Sequence, residues 1–449
     1  MNYLSKLSII TSLLLLTGCV QKADVKPTAR PITVPTSIPI TTVYPTQPAP
    51  YPMASTTPIY TEPVVSYPIP VNQPTISYPQ QPTYSEPVVY VDPPVVQVQQ
   101  PQPPIYTPQV SSNTLIRFPT YIQERSRYLQ GAYANNYKLK SFINKMATKH
   151  HYDKYKLYAI FSTVNRDEAA LEKIGAFKSY RRRGTRHSKV FTAGAWDKYR
   201  ANFLTSERIT KGVNFWRENA YYLNEASQRY GVAPEYIVGI IGVETNFGGY
   251  TGKHSVLNAL TSIALEFPKR SKFFSSELEN YLLMVRDEQI HPQAIKGSYA
   301  GAFGLSQFMP SSFREYAVDL DGDGHINLFN TADAIGSIAN YFIGRGRWNA
   351  NIPVAMHVYY NKPRFYGLAT GFKTKYTQRH LYSLGMRPSS SFGGYKGEVS
   401  LIKLNRYTRD ELWWGTDNFY AIARYNPKDH YAMAVHQLAQ AVKKAYYGR

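Results

Sequence analysis

The stretch Pro234 to Gly249, PEYIVGIIGVETNFGG, decides the fold. Pro234 suits a first helical position, where its missing N–H is not needed. Ile237, Ile240, Ile241 and Glu244 then recur at i, i+3, i+4 and i+7, so one face of the predicted helix carries three isoleucines and a carboxyl group. Gly248 and Gly249 read as stop signals and put Glu244 in the last turn. There the negative end of the helix dipole opposes ionisation, as desolvation does, and both raise the pKa. A carboxylic acid that keeps its proton near neutral pH is what a general acid for glycosidic bond cleavage requires. Spacing alone leaves open a plainer alternative, a Glu at a frayed helix end that swings into water.

Working outward, the chain of 449 residues is long enough for two or three domains, and its 43% hydrophobic content with 39 tyrosines is ample for a buried core. Of its 31 prolines, 22 fall between residues 20 and 113. Residues 1 to 113 hold four basic and four acidic side chains, so the whole net charge of +21 belongs to residues 114 to 449. Such a surface favours a polyanion, whether nucleic acid, anionic lipid or an acidic cell-wall polymer, and charge does not choose among them.

The one cysteine, Cys19, excludes an internal disulfide and leaves the folded region without Cys-based catalysis or Cys-rich metal sites. Lys6 precedes the apolar run Leu7 to Leu16, too short to span a bilayer and suited to the core of a secretory signal. Leu16-Thr17-Gly18-Cys19 resembles a bacterial lipoprotein lipobox, which implies cleavage before Cys19 and lipidation of its thiol. Val20 is not the Asp that retains such proteins at the inner membrane, so the same resemblance implies the periplasmic face of the outer membrane. Residues 20 to 113 repeat loosely as Pro, Tyr, Val, Thr and Gln, with no apolar period, and read as an extended tether. At roughly 3.1 Å per residue its reach is on the order of 200 to 300 Å when fully extended.

Helix-like spacing returns in Tyr137 to Lys149 and Val213 to Tyr230, interrupted by the basic run Arg181 to Arg186, which reads as a solvated loop or a polyanion contact. Glycines and β-formers rise between Phe365 and Leu404, and Phe419 to Tyr447 is helical again. Two further stretches carry chemistry. Gly297 to Pro310, GSYAGAFGLSQFMP, brackets small residues with aromatics and offers Ser298 and Gln307 as hydrogen-bonding groups, a composition that fits a sugar cleft and also fits close helix packing. In DLDGDGHINLFNTAD, Asp319, Asp321 and Asp323 occupy positions 1, 3 and 5 of an EF-hand calcium loop. Gly324 supplies the turn and His325 a backbone carbonyl. Position 12 is Asn330, a poor bidentate ligand, and Asp333 is the nearest carboxylate able to close the shell. A single such loop acts as a structural staple. There is no HExxH, GxSxG, phosphate loop or dinucleotide fingerprint, so no organic cofactor is expected.

In this order VETNFG, FPKRSKFF, LLMVRDEQ, GSYAGAFGLSQFMPSS, DGDGHINLFN, GFKTKY and NFYAIARYNPKDHYAMAVHQL closely resemble the lytic murein transglycosylase B family, from about Trp196 to Val442. The resemblance implies a mainly α, α+β fold, with a lysozyme-like catalytic core, an α domain, a small β-rich insertion and one calcium loop that closes at the later Asp, here Asp333. It implies cleavage of the peptidoglycan glycan strand with Glu244 as sole acid and base. It nominates Tyr199, Arg270, Ser298, Gln307, Tyr341, Tyr425, Asn426 and Tyr431 as cleft residues. Leu305-Ser306 departs from the aromatic and glycine usual there.

The expected division is a signal peptide over 1–18, a lipidated linker over 19–113, a helical domain over 114–233, the catalytic core over 234–350, the β-rich insertion over 351–415 and a helical segment over 416–449 that completes the cleft. The expected partners are peptidoglycan strands, a membrane through the lipid and other cell-wall enzymes, with no nucleic acid. Two alternatives stay open: a muramidase that uses the same Glu244 with water, and a wall-binding scaffold that cuts nothing.

Overall fold

The computed structural model describes residues 118–120, 124–177, 193–361 and 364–448. Cys19, the Pro-rich stretch and the run Arg181 to Arg186 lie outside the described residues. In chain order the helices are α1 (Tyr137–His150), α2 (Lys154–Ser162), α3 (Glu168–Ile174), α4 (Ala195–Arg200), α5 (Ser206–Glu218), α6 (Ala220–Tyr230), α7 (Pro234–Thr245), α8 (Val256–Glu266), α9 (Ser271–Asp287), α10 (Pro310–Tyr316), α11 (Thr331–Tyr341), α12 (Gln378–Ser383), α13 (Asp417–Tyr425) and α14 (Asp429–Tyr446). The strands are β1 (His254–Ser255), β2 (Lys296–Gly297), β3 (Ala355–Tyr360), β4 (Met386–Pro388), β5 (Ser400–Asn405) and β6 (Asp410–Gly415). The fold is therefore mainly helical with two small antiparallel sheets, β1-β2 and β4-β3-β6-β5.

The helix predicted from the opening stretch is α7, with Pro234 at its start. Its isoleucines are fully buried, but so is almost every other position from Glu235 to Thr245, so the helix has no solvent face and Glu244 alone keeps part of its side chain open. The stop comes earlier than the glycines: Asn246 and Phe247 already take left-handed backbone angles, φ 53° and 58°. The 213–230 segment is two helices, because the chain breaks at Asn219, whose side-chain amide donates to the Phe215 carbonyl.

Packing does not follow chain order. α1, α2 and α3 share a core with α8, α9 and α10, built on Leu139, Phe161, Leu260 and Leu282. Helices α4 to α7 share another with α11, α13 and α14, built on Trp196, Ile237, Ile338 and Val435. The four-stranded sheet sends Val358, Leu401, Leu412 and Trp414 from one face into a third cluster, with Phe365 and Leu381 from the connecting segment. From its other face Ile402 and Leu404 enter the core around α7.

Two glycines of α7 set its distance from α14. A Cβ at Gly239 would stand 3.0 Å from the Val435 carbonyl oxygen and 3.1 Å from the Ala439 Cβ, and one at Gly242 would meet Phe247 at 2.6 Å and Leu438 at 2.8 Å. Close helix approach of this kind fixes which side chains of α14 meet the end of α7. A larger residue at Gly239 has backbone against it, so Gly239→Val is expected to lower stability by about 1–3 kcal/mol, read as a fall in the denaturant midpoint. An unchanged midpoint would show that α14 yields at no cost.

Candidate active site and metal loop

Glu244 sits in the last turn of α7, and its Oε1 accepts a hydrogen bond of 2.5 Å from the Tyr431 hydroxyl on α14. Burial is the dominant influence and pushes its carboxyl up to about 7, while the Tyr431 bond favours the charged form and pulls the other way. The residue is half-buried and still densely surrounded by protein. In turn the phenols of Tyr199, Tyr425 and Tyr431 are raised, by burial first and then by the negative charge of Glu244. All three thus remain neutral donors in the physiological range.

The surrounding shell is aromatic. Tyr199 on α4 packs between Phe203, at 5.1 Å between ring centroids, and His430, at 5.5 Å. Tyr341 and Tyr425 meet at 4.8 Å, and Phe308 contacts both. Their hydroxyls are occupied: Tyr341 donates to the Arg424 carbonyl at 2.9 Å, and Tyr425 to the Ser306 carbonyl at 2.5 Å. Rings held in this way present faces and edges at fixed angles.

The Gly297–Pro310 stretch folds back on itself through the bridges Gly297↔Phe303 and Phe303↔Phe308. Ser298 Oγ accepts from the backbone N–H groups of Ala300 and Ala302, at 3.3 and 3.1 Å, and keeps a proton with which it can donate. Gln307 stands at φ 49°, and its side-chain nitrogen donates to the carbonyls of Thr251 and Gly304, at 3.0 and 2.8 Å. Gln307 therefore ties the loop following α7 to this stretch. Gly252 in that loop lies so close to Gly297 that a Cβ would stand 2.1 Å from its carbonyl.

Asn426 is buried, and its Oδ1 has no hydrogen-bond partner; the Ser306 hydroxyl, one peptide from Gln307, is likewise buried and unpaired. Arg270 sits in the short 3-10 turn between α8 and α9 with its guanidinium over the Phe273 ring at 4.4 Å, and Glu277 is the carboxylate whose charge acts on it. None of its described contacts joins it to Glu244. Arg208, unmarked by any sequence pattern, donates to the Gly242 carbonyl at 2.6 Å and so supports the end of the helix that carries Glu244.

In the acidic loop, carboxylate oxygens of Asp319, Asp321 and Asp333 lie within 4.8 Å of one another. Asp333, fully buried on α11, accepts from the Leu320 and Asn327 N–H groups at 2.9 and 2.7 Å. Burial, and then the neighbouring Asp321 and Asp319, push its carboxyl up to about 7. Like charges gathered this closely fit a cation that would offset them. Asp323 is not in that group; its carboxylate accepts from the His325 N–H at 2.8 Å. Asn330 caps α11 and donates to Asp321 at 2.6 Å, work that suits an amide better than a ligating carboxylate.

Comparison with known proteins places the molecule. The chain belongs to the transglycosylase SLT domain family, whose sequence model matches residues 134–440. Within that family it is similar to the membrane-bound lytic murein transglycosylase B of Escherichia coli K12, with 44% identity over 325 residues, 72% of this chain and 87% of the relative. Among solved structures it resembles the Escherichia coli lytic transglycosylase Slt35 in complex with bulgecin A, at TM-score 0.65 and 44% identity, covering 71% of this chain and 97% of that one. The calcium complex of Slt35 superposes with TM-score 0.64, over the same shares of the two chains. SltB3 of Pseudomonas aeruginosa bound to NAG-anhNAM-pentapeptide is 28% identical, with TM-score 0.59 over 69% of this chain and 79% of that one.

The Tyr431 bond to Glu244 has a signed consequence. If catalysis needs the protonated acid, kcat/KM falls as pH rises through about 7. Tyr431→Phe removes the contact that favours the carboxylate, so this falling limb moves to higher pH. A limb that moves down, or not at all, would show that the bond does not control the proton.

Proposed function

We propose that this lytic murein transglycosylase cuts the β-1,4 bond between N-acetylmuramic acid and N-acetylglucosamine in peptidoglycan, with Glu244 as its single acid and base. One observation carries the reading: a half-open carboxyl raised to about 7, roofed by tyrosines, with no other carboxylate among the described residues contributing to that rise. A double-displacement hydrolase needs a second carboxylate as nucleophile.

Glu244 gives its proton to the bridging oxygen as the C1–O bond breaks, and the substrate's own acetamido oxygen stabilises C1. Glu244, now a carboxylate, takes the proton of the C6 hydroxyl while O6 bonds to C1. The products are a free 4-hydroxyl on the leaving sugar and a 1,6-anhydromuramyl end, and no water is consumed. Ser298, Gln307, Asn426 and Arg270 bind and orient the strand, with Tyr199, Tyr341, Tyr425 and Tyr431 forming its aromatic walls. The structure of SltB3 in complex with NAG-anhNAM-pentapeptide supports this product class.

Asp319, Asp321 and Asp333 are the residues that would hold a calcium ion, with Asp323 and the His325 carbonyl as the remaining donors of the loop, in keeping with the calcium complex of Slt35. The ion would supply charge balance and stiffness and take no part in bond cleavage. The relative is membrane-bound by name, and no helix of the described residues is long and apolar enough to cross a membrane. A lipid on Cys19 at the periplasmic face of the outer membrane accounts for both, with the Pro-rich stretch as tether to the wall. Other cell-wall enzymes are candidate partners along that tether.

Two measurements test the reading. Mass spectrometry of wall digests is expected to show muramyl products one water lighter than reducing sugars, and Glu244→Gln is expected to cut cleavage by at least about 100-fold; reducing ends, or near-normal cleavage by the variant, would overturn it. Chelation is expected to lower the Tm and added Ca2+ to restore it, with Asp333→Asn insensitive to both. A wild-type Tm indifferent to chelator would remove the ion from the structure.

A further inference from the structure

On the four-stranded sheet, the face turned away from the Phe365 cluster carries a second set of aromatic and polar groups. His357 pairs across the ladder with Trp413, their rings edge to face at 5.4 Å, and Tyr359, two residues along β3 from His357, lies 4.9 Å from it and is 57% exposed. Two hollows adjoin here. One, of about 360 Å³, opens between the end of β3 and the β5-β6 hairpin, with Tyr359, Asn361 and Arg409 on its rim. The other, of about 390 Å³, opens between β6 and the helices α4 and α14, against Trp413 and Gln437. Arg406 and Glu411 belong to both and join them.

These groups are held in place without a ligand. Arg406 bonds to Glu411 at 2.5 Å and to Asp197 at 2.7 Å, and Trp413 donates to Glu411 at 2.7 Å. Burial lowers the His357 pKa, which favours the neutral imidazole with one donor and one acceptor. The groove is separate from the Glu244 cleft. Gln440, which lines it, lies nine residues beyond Tyr431, two and a half turns at 3.6 residues per turn, and so faces the opposite side of α14.

We propose that this groove is a second glycan-binding site, which holds an uncleaved stretch of peptidoglycan strand while another stretch lies at Glu244. The proposal rests on peptidoglycan being the substrate. Sugars offer apolar C–H faces to aromatic rings and paired hydroxyls to planar amide, guanidinium and carboxylate groups, and the groove presents both sets already oriented. Arg406 is already balanced by Glu411 and Asp197, so Arg409 on the rim is the cation the groove offers to a carboxylate of an acidic wall polymer. A polymer can engage both sites at once, so even weak binding here raises retention on the wall.

The test uses the full chain carrying Glu244→Gln, which holds strands without cutting them, with and without the surface changes Tyr359→Ala and Arg409→Ala. Cosedimentation with purified wall sacculi is expected to weaken about tenfold with the surface changes. In the chain with Glu244 intact, the same changes are expected to leave cleavage of a soluble tetrasaccharide and the Tm unaltered, and to slow digestion of sacculi. Equal sedimentation of the two chains overturns the proposal. So does competition by free stem peptide in place of peptide-free glycan. Should Glu244→Gln itself still cut, the underlying functional reading fails, whichever way the groove behaves.

Discussion

The hydrogen bond between Tyr431 and Glu244 is the constraint on which the rest of the molecule depends. It joins residues 187 positions apart, and it exists only because α7 lies close enough to α14 for a phenol on one to reach a carboxyl on the other. The glycines of α7 supply that closeness, Arg208 supports the helix end, and the burial of the whole helix supplies the low-polarity surroundings that raise the pKa of the acid. A carboxyl in such a place opposes folding when it ionises. Under the proposed mechanism its retention is intelligible as the cost of having an acid ready when the bridging oxygen arrives.

The second constraint is the stiffness of the Gly297–Pro310 stretch, the wall proposed to bind the strand. Gln307 in a left-handed conformation, bonded to the Thr251 carbonyl, and the contact of Gly252 with Gly297 fasten the loop following α7 to the Gly297–Pro310 stretch, and the Tyr425 bond to the Ser306 carbonyl fastens α13 to it. The acidic loop and α11 stand behind the same stretch, since the Leu305 N–H bonds to the Leu328 carbonyl. An ion held by Asp319, Asp321 and Asp333 would therefore have a short mechanical route to the Gly297–Pro310 stretch.

Much of this was legible in the sequence, for reasons that differ from part to part. The helix of Glu244 showed itself through Pro234 and the apolar spacing, and the acidic loop through its alternating aspartates, because both are local patterns. The spacing puts the stop of α7 at Gly248, two residues beyond the left-handed Asn246, and gives no sign of the break at Asn219, since Asn takes these roles with less advertisement than Gly or Pro. Long-range consequences were invisible to periodicity. That Tyr431 bonds to Glu244, that Arg208 meets the Gly242 carbonyl, and that the first three helices pack on α8 and α9 follow from tertiary proximity, and only family resemblance pointed to Tyr431. Nor does any motif mark the groove beside Trp413, whose residues come from β3, a hairpin and two helices.

The interleaving of the chain has a consequence for biosynthesis. α7 emerges well before α14, so a nascent or truncated polypeptide ending ahead of Tyr431 possesses the acid without the neighbours that tune it, and with the buried faces of α7 bare. Competence to cut arrives late, as a single event near completion of the polypeptide. For an enzyme that acts on the cell wall, such lateness withholds the tuned acid from every fragment that ends ahead of Tyr431.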